Sequence, residues 1–446
     1  MSQYDDELAG VYPDREEDRH ADRMGDSDYD DDEFDQSTSK VTEGTSAMDV
    51  KKGKDIQGIP WERMSTTRDR YRRTRLKQYA NFENIPNSGR TSEKVCTPVE
   101  KDELYYEFQH NTRSVKSTIL HFQLRNLVWA TTRHDVYLMS YYSVLHWSAL
   151  SCEKQEVIDL HGRVAPCEPY FLCALNQKHQ GNFSEGFYQT QVSTMAVKNN
   201  LLVIGGFHGE IICKFLDREG ISYCCNSTHD DNGITNSLEI FEKPSGSVHF
   251  LASNNDCGVR DFDMEKFHIS NHFHFPWAVN HTSLHFDGKL AVIVGDNPDG
   301  LLIDANSGKT VHDLRGHLDY SFASAWNPDG RTFVTGNQDK TCRVWDIRNL
   351  SKSVVVLGGN IGAIRSIRYT SDGRFMAMAE PADFIHIFDV ASGYSRKQEL
   401  DFFGEIAGIS FSPDTEALFV GVHDRTYSSL LQFNQRRFYS YLDSAL

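Results

Sequence analysis

The sequence predicts an all-β protein, a β-propeller of seven blades, because two short signatures return at a fixed interval. Asp-containing turns separate apolar runs, and a bulky apolar residue followed by Asp closes a later run in the same unit. Both signatures recur every ~42 residues, the length of one four-stranded blade. A unit of this size cannot bury its apolar faces alone, so the units must pack side by side into one closed body. The turns lie at Asp287, Asp329, Asp372 and Asp414, and the closing pairs end at Asp263, Asp304, Asp346 and Asp389.

Seven such units fit between residues 104 and 446, each with an alternating strand, a turn and an apolar run. Two connecting stretches, 150–190 and 218–236, are too long for blade turns and are predicted as insertions on one face. The alternating run 104–108 precedes the first unit, and it is expected to supply the outer strand that the seventh unit lacks. The units are predicted at 118–138, 193–215, 237–263, 279–310, 317–350, 362–394 and 405–434.

Composition limits the class of function. The net charge of −17 argues against a general nucleic-acid binder, which usually has a basic face. The nine cysteines form no CxxC pair, which is typical of a reducing compartment. Neither a signal peptide nor an apolar run of membrane-spanning length is seen. The expected location is cytoplasm, nucleus or both, without membrane contact.

Residues 1–57 are polar and acidic, and a segment with so little apolar surface is predicted to be disordered. It serves either as a solvating tail or as a regulatory one. Ser27 is a candidate phosphorylation site, because the sequence Ser-Asp-Tyr-Asp suits kinases that prefer an acidic context.

Residues 58–95 form a basic segment that also carries aromatic side chains. Ser65 or Thr66 is predicted to cap a helix that runs to about Tyr79. On this helix three arginines share one stripe. Three roles are open: docking on the acidic propeller, binding a partner, or acting as a nuclear import or nucleic-acid-contacting segment over 63–77. The candidate partner-binding residues are Trp61, Arg68, Arg70, Arg72, Arg73 and Arg75, of which Arg68, Arg72 and Arg75 form the stripe.

The fifth unit carries the most specific pattern. Gly316-His317 opens it, Thr335 and Asp339 follow, and Trp345-Asp346 closes it. This unit resembles a WD40 repeat with its full tetrad of His317, Thr335, Asp339 and Trp345. The resemblance implies a buried structural network rather than an acid–base site, in which His317 links Asp339 to Thr335 and the indole N–H of Trp345 also reaches Thr335.

The other units depart from this pattern. The sixth has Asn360 where the His would stand and Phe388 in place of Trp, and the fourth closes on Ile303-Asp304. As a whole, the acidic tail, the basic segment and the degenerate blades resemble a little-characterised family of plant and fungal WD40 (transducin-like) proteins. That resemblance implies no established activity.

The run 333–348 also resembles the WDxR box of substrate receptors of cullin-type ubiquitin ligases. In such receptors the Arg at the end of the box meets the propeller-shaped adaptor. Arg348 would be that residue here. A well-formed repeat supplies the rest of the box by itself, so Arg348 alone carries the additional signal.

No metal site is predicted. His272 and His274 would lie on the same side of a strand, but no third ligand accompanies them. Cys224 and Cys225 are adjacent, with His229 nearby, and adjacent cysteines rarely chelate one zinc ion. P-loop, dinucleotide and nucleophile-elbow motifs are absent from the sequence.

The predicted function is therefore a non-enzymatic, monomeric scaffold that binds other proteins and needs no cofactor. The first alternative is a substrate receptor of a ubiquitin ligase that docks through Arg348. The second is a nuclear factor that contacts nucleic acid through 63–77, although nucleic acid is the less favoured partner.

Overall fold

The computed structural model describes residues 44–101, 103–166 and 186–437. Within these ranges the strands form seven four-stranded antiparallel blades arranged as a propeller. The predicted phosphorylation site Ser27 and most of the predicted tail lie outside the described residues. The fold class predicted from the repeat is confirmed.

The chain enters through an N-terminal segment that crosses the propeller before the first blade begins. The segment contains one short strand, three helices, two 3-10 turns and the strand that closes the ring. These elements are β1 (Gly44–Ser46), α1 (Ala47–Lys51), a 3-10 turn (Trp61–Arg63), α2 (Arg68–Gln78), α3 (Ser88–Ser92), a second 3-10 turn (Glu93–Val95) and β2 (Tyr106–Thr112).

The predicted boundary of the acidic tail at residue 57 needs correction, because residues 44–57 belong to the folded part. Ser46 and Asp49 form a reciprocal capping box at the start of α1. The amide of Gln57 is fully buried and exchanges two hydrogen bonds of 2.6 Å with the backbone of Phe403. Thr45 is also buried. These contacts order a stretch whose composition alone looks disordered.

Blades 1 to 4 follow the meander pattern, with consecutive strands paired from the axis outward. Blade 1 has β3 (Val128–Ala130), β4 (Asp135–Ser140), β5 (Ser143–Ser148) and β6 (Glu153–Asp159), followed by the small hairpin β7 (Arg163–Val164) and β8 (Phe187–Tyr188). Blade 2 has β9 (Val192–Lys198), β10 (Leu201–Gly206), β11 (Glu210–Phe215) and β12 (Tyr223–Asn226). Blade 3 has β13 (Thr235–Glu242), β14 (Val248–Asn254), β15 (Gly258–Asp263) and β16 (His268–His274). Blade 4 has β17 (Val279–Leu284), β18 (Leu290–Gly295), β19 (Asn297–Asp304) and β20 (Thr310–Leu314).

Blades 5 to 7 complete the ring. Blade 5 has β21 (Ser321–Trp326), β22 (Thr332–Asn337), β23 (Thr341–Asp346) and β24 (Val355–Gly358). Blade 6 has β25 (Ser366–Tyr369), β26 (Phe375–Ala379), β27 (Ala382–Asp389) and the first part of β28 (Lys397–Phe411). The second part of β28 opens blade 7, which continues with β29 (Ala417–His423) and β30 (Ser429–Gln435).

The first blade differs from its prediction. The run 118–122 alternates but is not a strand, and the innermost strand is β3 instead. Leu120 and Phe122 are exposed, because the chain at 113–127 is the connection from blade 7 to blade 1. The predicted insertion 218–236 likewise contains a blade strand, β12, and the predicted insertion 150–190 contains β6 and the β7–β8 hairpin.

Ring closure follows the prediction that 104–108 completes the seventh blade, and β2 does pair with β30. The pairing runs antiparallel from Tyr106 opposite Gln435 to Thr112 opposite Leu430. Tyr106 is fully buried, and its hydroxyl donates to the carbonyl oxygen of Thr415 at 2.7 Å. The prediction is confirmed with a start two residues later.

The meander gives the propeller two distinct faces. We call the face that carries the second-to-third-strand turns and the connections between blades the top face, and the opposite one the bottom face. The cores lie between neighbouring sheets, where the largest fully buried side chains include Trp345, Phe250 and Phe419.

Candidate functional site

The tetrad of blade 5 is assembled on the top side of that blade. His317 Nδ1 lies 3.2 Å from Asp339 Oδ2, and His317 Nε2 lies 2.8 Å from Thr335 Oγ1. The indole Nε1 of Trp345 donates to the same Thr335 oxygen at 2.9 Å. All four residues are buried, and the structure brings together the residues that the sequence pointed to.

The electrostatics of the tetrad suit a structural role. Burial by itself raises the pKa of Asp339, but His317, the hydroxyl of Thr341 and the backbone N–H of Leu318 outweigh it and lower this pKa to about 2. The carboxylate is therefore ionised, and it holds the connection into blade 5 against the turn between β22 and β23.

In blade 6 a different set of residues holds the connection into the blade. Sequence analysis did not identify this set. Glu380 is fully buried and accepts hydrogen bonds of 2.7 Å from the backbone N–H groups of Asn360, Ile361 and Gly362. His386 Nε2 lies 2.8 Å from Glu380 Oε1, and Lys397 Nζ lies 3.0 Å from His386 Nδ1. His386 therefore links Glu380 to Lys397 through its two ring nitrogens.

Helix α2 of the basic segment docks on the top face of blades 6 and 7. Its predicted extent to about Tyr79 is close to that observed, but Thr67 is the N-cap instead of Ser65 or Thr66. The hydroxyl of Thr67 accepts from the backbone N–H of Arg70 at 3.3 Å. The predicted stripe of Arg68, Arg72 and Arg75 is the face that meets the propeller.

Arg72 occupies the centre of this contact. Its Nη1 lies 2.7 Å from Asp383 Oδ2, and its Nη2 lies 2.5 Å from Asp401 Oδ1. The guanidinium also lies between two aromatic rings, 4.6 Å from the centroid of Phe384 and 4.2 Å from that of Phe403. Acids and rings together make a built arginine site that the chain fills with its own side chain.

The remaining arginines of the segment divide into two groups. Arg75 pairs with both carboxylate oxygens of Asp383, at 2.7 and 2.9 Å, and Arg68 Nη2 lies 3.0 Å from Asp401 Oδ1. Arg70 and Arg73 are exposed on the outer side of the helix. Of the predicted partner-binding arginines, the buried stripe is therefore used within the chain.

Trp61 also packs within the chain. Its indole Nε1 donates to Asp55 Oδ2 at 2.9 Å, and its ring lies 5.2 Å from Phe403 and 5.7 Å from Tyr71, centroid to centroid. The aromatic residues that interrupt the basic run thus form the apolar part of the docked surface.

Beyond α2 the segment continues over blades 6 and 5. The side chain of Asn81 donates to the carbonyl of Gln338 at 3.0 Å, and Gln338 donates in turn to the carbonyl of Phe82. The buried carboxylate of Asp319 accepts from the backbone N–H of Ile85 at 3.1 Å and from the hydroxyl of Ser88 at 2.7 Å. Residues 55–92 thereby cover the top face of blades 5 to 7.

On the top face, the described residues leave an aromatic patch partly exposed. The rings of Phe82 and Phe122 lie 6.1 Å apart, His121 stacks beside Phe122 at 5.2 Å, and Phe207 lies 5.6 Å from His121. Phe82 keeps 55% of its surface exposed and Phe122 keeps 49%. We call Phe82, His121, Phe122 and Phe207 the aromatic patch.

Comparison with known proteins finds a repeat family in blade 5. The model of the "WD domain, G-beta repeat" matches residues 308–346, which hold the tetrad of that blade. The chain therefore contains a WD40 repeat and folds as a WD40-like propeller. The fold of this WD40 propeller resembles a solved chain from the crystal structure of the mitotic checkpoint complex, with a TM-score of 0.58 and 13% identity, covering 77% of this chain and 100% of that one.

Curated relatives are similar over shorter stretches. An uncharacterised protein of Schizosaccharomyces pombe is 24% identical over 213 residues, 43% of this chain and 61% of that protein. The guanine nucleotide-binding protein subunit beta of Oryza sativa subsp. indica is 32% identical over 96 residues, 20% of this chain and 25% of that subunit. The human serine-threonine kinase receptor-associated protein is 30% identical over 73 residues, 16% of this chain and 21% of that protein. The matched region thus spans less than two thirds of each relative.

Arg348 lies in the turn after β23, on the bottom face of the WD40 propeller. Its side chain is 71% exposed and pairs with its neighbour Asp346, with Nε 2.9 Å from Oδ1 and Nη2 2.5 Å from Oδ2. This pairing and the backbone N–H of Arg348 lower the pKa of Asp346 to about 2. Arg348 thus has a local acidic partner.

The residues considered for metal binding do not converge. His272 and His274 are exposed on β16, the outer strand of blade 3, while Cys224 and Cys225 are buried in β12. Over the described residues, no group of three or more His, Cys, Asp or Glu side chains is placed to hold a metal ion. Among the helices of the same residues, none is long and apolar enough to cross a membrane.

Proposed function

We propose that this WD40 protein is a non-enzymatic scaffold that binds another protein through the part of its top face left open by the N-terminal segment. The aromatic patch carries this proposal, because the rings of Phe82 and Phe122 are exposed next to each other and the half-buried His121 and Phe207 extend the same surface. WD40 propellers generally serve as interaction scaffolds, which supports the same class of function.

The rigidity of the surroundings also supports a recognition role. Phe82 is held through its backbone by Gln338, and the connection that carries Phe122 is anchored by Arg125, which is buried and donates to the carbonyl of His121 at 2.7 Å. Exposed aromatic side chains on a fixed backbone lose little conformational entropy on binding.

The two alternative functions receive less support. A ligase receptor would need Arg348 to be available, and that side chain already pairs with Asp346. A nucleic-acid contact through 63–77 would need its arginines, and three of them are engaged with Asp383 and Asp401. A protein partner on the top face requires neither.

A photo-crosslinking experiment tests the proposal. The photoreactive amino acid p-benzoylphenylalanine is placed at Phe122 and, as a matched control, at Phe286, which is 74% exposed in a bottom-face turn. We expect a discrete crosslinked product from position 122 in cells, and its loss when Phe82→Ser is added. Crosslinks that form only from position 286, or that persist in the Phe82→Ser background, would overturn the proposal.

A further inference from the structure

Charges of both signs lie near the aromatic patch. Burial and the charges of Arg125 and Arg365 lower the pKa of His121 to about 4, whereas the charges nearest to Phe207 are carboxylates. Asp230 and Asp231 are exposed in the connection from blade 2 to blade 3, just beyond the turn that carries Phe207. The γ-methyl of Thr228, in the same connection, lies 2.7 Å from where a Cβ on Gly209 would sit, so this connection folds against the Phe207 turn. Asp230 and Asp231 therefore lie near the Phe207 end of the aromatic patch.

A second acidic group lies farther round the top face, in blade 4. Asp296 follows β18 in the top-face turn of blade 4, where the side-chain amide of Asn280 donates to it at 2.8 Å. Burial raises the pKa of Asp296; the charge of Asp319 adds to this effect and the hydrogen bond from Asn280 opposes it. Asp256, the next acid on this face, differs because Arg260 already binds it, at 2.5 Å from Nη2 to Oδ2.

The carboxylates of Asp230, Asp256 and Asp296 are close enough to act on one and the same side chain. Cys257 lies between them in the top-face turn of blade 3, and burial together with the charges of Asp256, Asp296 and Asp230 raises the pKa of its thiol. A thiol affected by three carboxylates of three different turns indicates that the turns converge.

The chain itself shows what this combination of rings and acids recognises. On blades 6 and 7, the side chain that fills the space between Phe384, Phe403 and the acids Asp383 and Asp401 is an arginine, Arg72. The open part of the top face repeats the combination, with Phe207 beside Asp230 and Asp231. It lacks an occupant from the described residues.

We infer that the open part of the top face binds a basic, apolar protein segment, whose Lys or Arg side chains reach Asp230, Asp231 and Asp296 while its apolar side chains pack on Phe122 and Phe207. This inference rests on the proposed function and adds the class of partner to it. The carboxylates determine selectivity and association rate, and the rings supply the buried apolar area.

The test uses the full-length protein and three fluorescein-labelled twelve-residue peptides. The first alternates Arg and Leu, the second replaces every Arg by Glu, and the third replaces every Leu by Ser. We expect the Arg/Leu peptide to bind with an affinity that falls steeply with salt, and the other two to bind at least tenfold more weakly.

Two matched triple variants locate the binding. Asp230→Asn, Asp231→Asn and Asp296→Asn together neutralise the top-face acids, whereas Glu153→Gln, Asp217→Asn and Glu265→Gln neutralise three exposed acids at the bottom ends of their blades. We expect the first triple to weaken binding at least tenfold and the second to leave it within twofold, with unchanged melting temperatures in both. Equal losses in the two triples would mean non-specific attraction and would overturn the inference.

The outcomes separate this inference from the proposed function. If Phe82→Ser abolishes the crosslinks from position 122 while the top-face triple leaves them unchanged, the surface is correct and the basic partner is wrong. If position 122 gives no crosslink and the Arg/Leu peptide binds without regard to either triple, both fail.

Discussion

Arg72 of the N-terminal helix and Asp383 of blade 6 form a buried ion pair across 311 residues of sequence, with 2.7 Å between Nη1 and Oδ2. The side chain of Asp383 is 1% exposed and that of Arg72 is 9% exposed. A charge this deeply buried requires its partner, because an unpaired carboxylate would cost several kcal/mol. The pair therefore ties α2 to the propeller.

Replacement of the docked arginines should release the segment. The double variant Arg72→Gln/Arg75→Gln leaves Asp383 buried without a guanidinium, so we expect a loss of about 3 kcal/mol in the free energy of unfolding and faster proteolysis near Trp61. The matched control is Arg70→Gln/Arg73→Gln, which removes the same charge from the exposed side of α2. Equal protease sensitivity in the two variants would contradict the docking role.

Removal of the Trp345 ring should destabilise blade 5. Trp345→Ala deletes a fully buried indole and leaves the hydroxyl of Thr335 without one donor, so we expect a loss of roughly 3–5 kcal/mol, measured by denaturant unfolding. Phe388→Ala should act similarly in blade 6, where Phe388 is buried at the corresponding strand end. A change close to zero for Trp345→Ala would show that the tetrad does not support the blade.

Glu380 should prove as important as Asp339. Glu380→Ala removes the acceptor of three backbone N–H groups and the partner of His386, so we expect a loss of about 3 kcal/mol or more. Hydrogen exchange of the amides of residues 360–362 should accelerate more than that of the corresponding connection into blade 5. Retained protection at 360–362 would contradict this role.

Acid should destabilise the protein partly through His281. This imidazole is buried on the innermost strand of blade 4 with Nδ1 3.0 Å from Ser324 Oγ, and burial, assisted by Arg368, lowers its pKa from 6.5 to about 3. Below pH 6.5 this imidazole takes up a proton in the unfolded chain but stays neutral in the folded chain. Its contribution to the free energy of unfolding is therefore fully present above pH 6.5 and decreases as the pH falls, by about 2 kcal/mol at pH 5.

The control for this effect is His281→Gln, which cannot titrate. Denaturant unfolding at pH 7 and pH 5 should show a smaller loss of stability in the variant than in the wild-type protein. Parallel losses in the two proteins would show that His281 does not contribute to the acid sensitivity.

Replacement of Arg348 should affect neither the stability of the protein nor the binding of a ligase adaptor. It is exposed and its ion pair with Asp346 is a surface pair, so Arg348→Ala should leave the melting temperature unchanged. Affinity purification of the wild-type protein should recover no adaptor of a cullin-type ligase. Recovery that depends on Arg348 would restore the ligase alternative.

Periodic features of the sequence predicted most of the fold. Turns and closing residues repeat along the chain, so blades 2 to 7 and the tetrad around His317 could be recognised locally. Blade 1 was misplaced, because the run 118–122 alternates like a strand while Leu120 and Phe122 remain exposed. Alternation of apolar and polar residues shows that a strand would have one apolar face. It does not show whether a neighbouring sheet covers that face.

The features missed by sequence analysis depend on distant contacts. Arg72 could be placed on a stripe of α2, but no local pattern pointed to Asp383 or Asp401 as its partners. Phe82 and Phe122 belong to separate connections that meet only in the closed ring. Glu380 was missed because it accepts hydrogen bonds as Asp339 does but does not stand at the corresponding position of the repeat. Such groups need the fold before they can be recognised.

The pairing of β2 with β30 has a consequence for synthesis of the protein. Strand β2 leaves the ribosome before any complete blade exists, whereas its partner is among the last strands to be translated. Its edge must stay unpaired throughout elongation, while six blades can already form behind it. A nascent chain arrested before residue 429 would therefore expose an open ring with two unsatisfied sheet edges, a form suited to capture by chaperones. A shift from chaperone-bound to chaperone-free chains should coincide with the moment at which β30 becomes available for pairing.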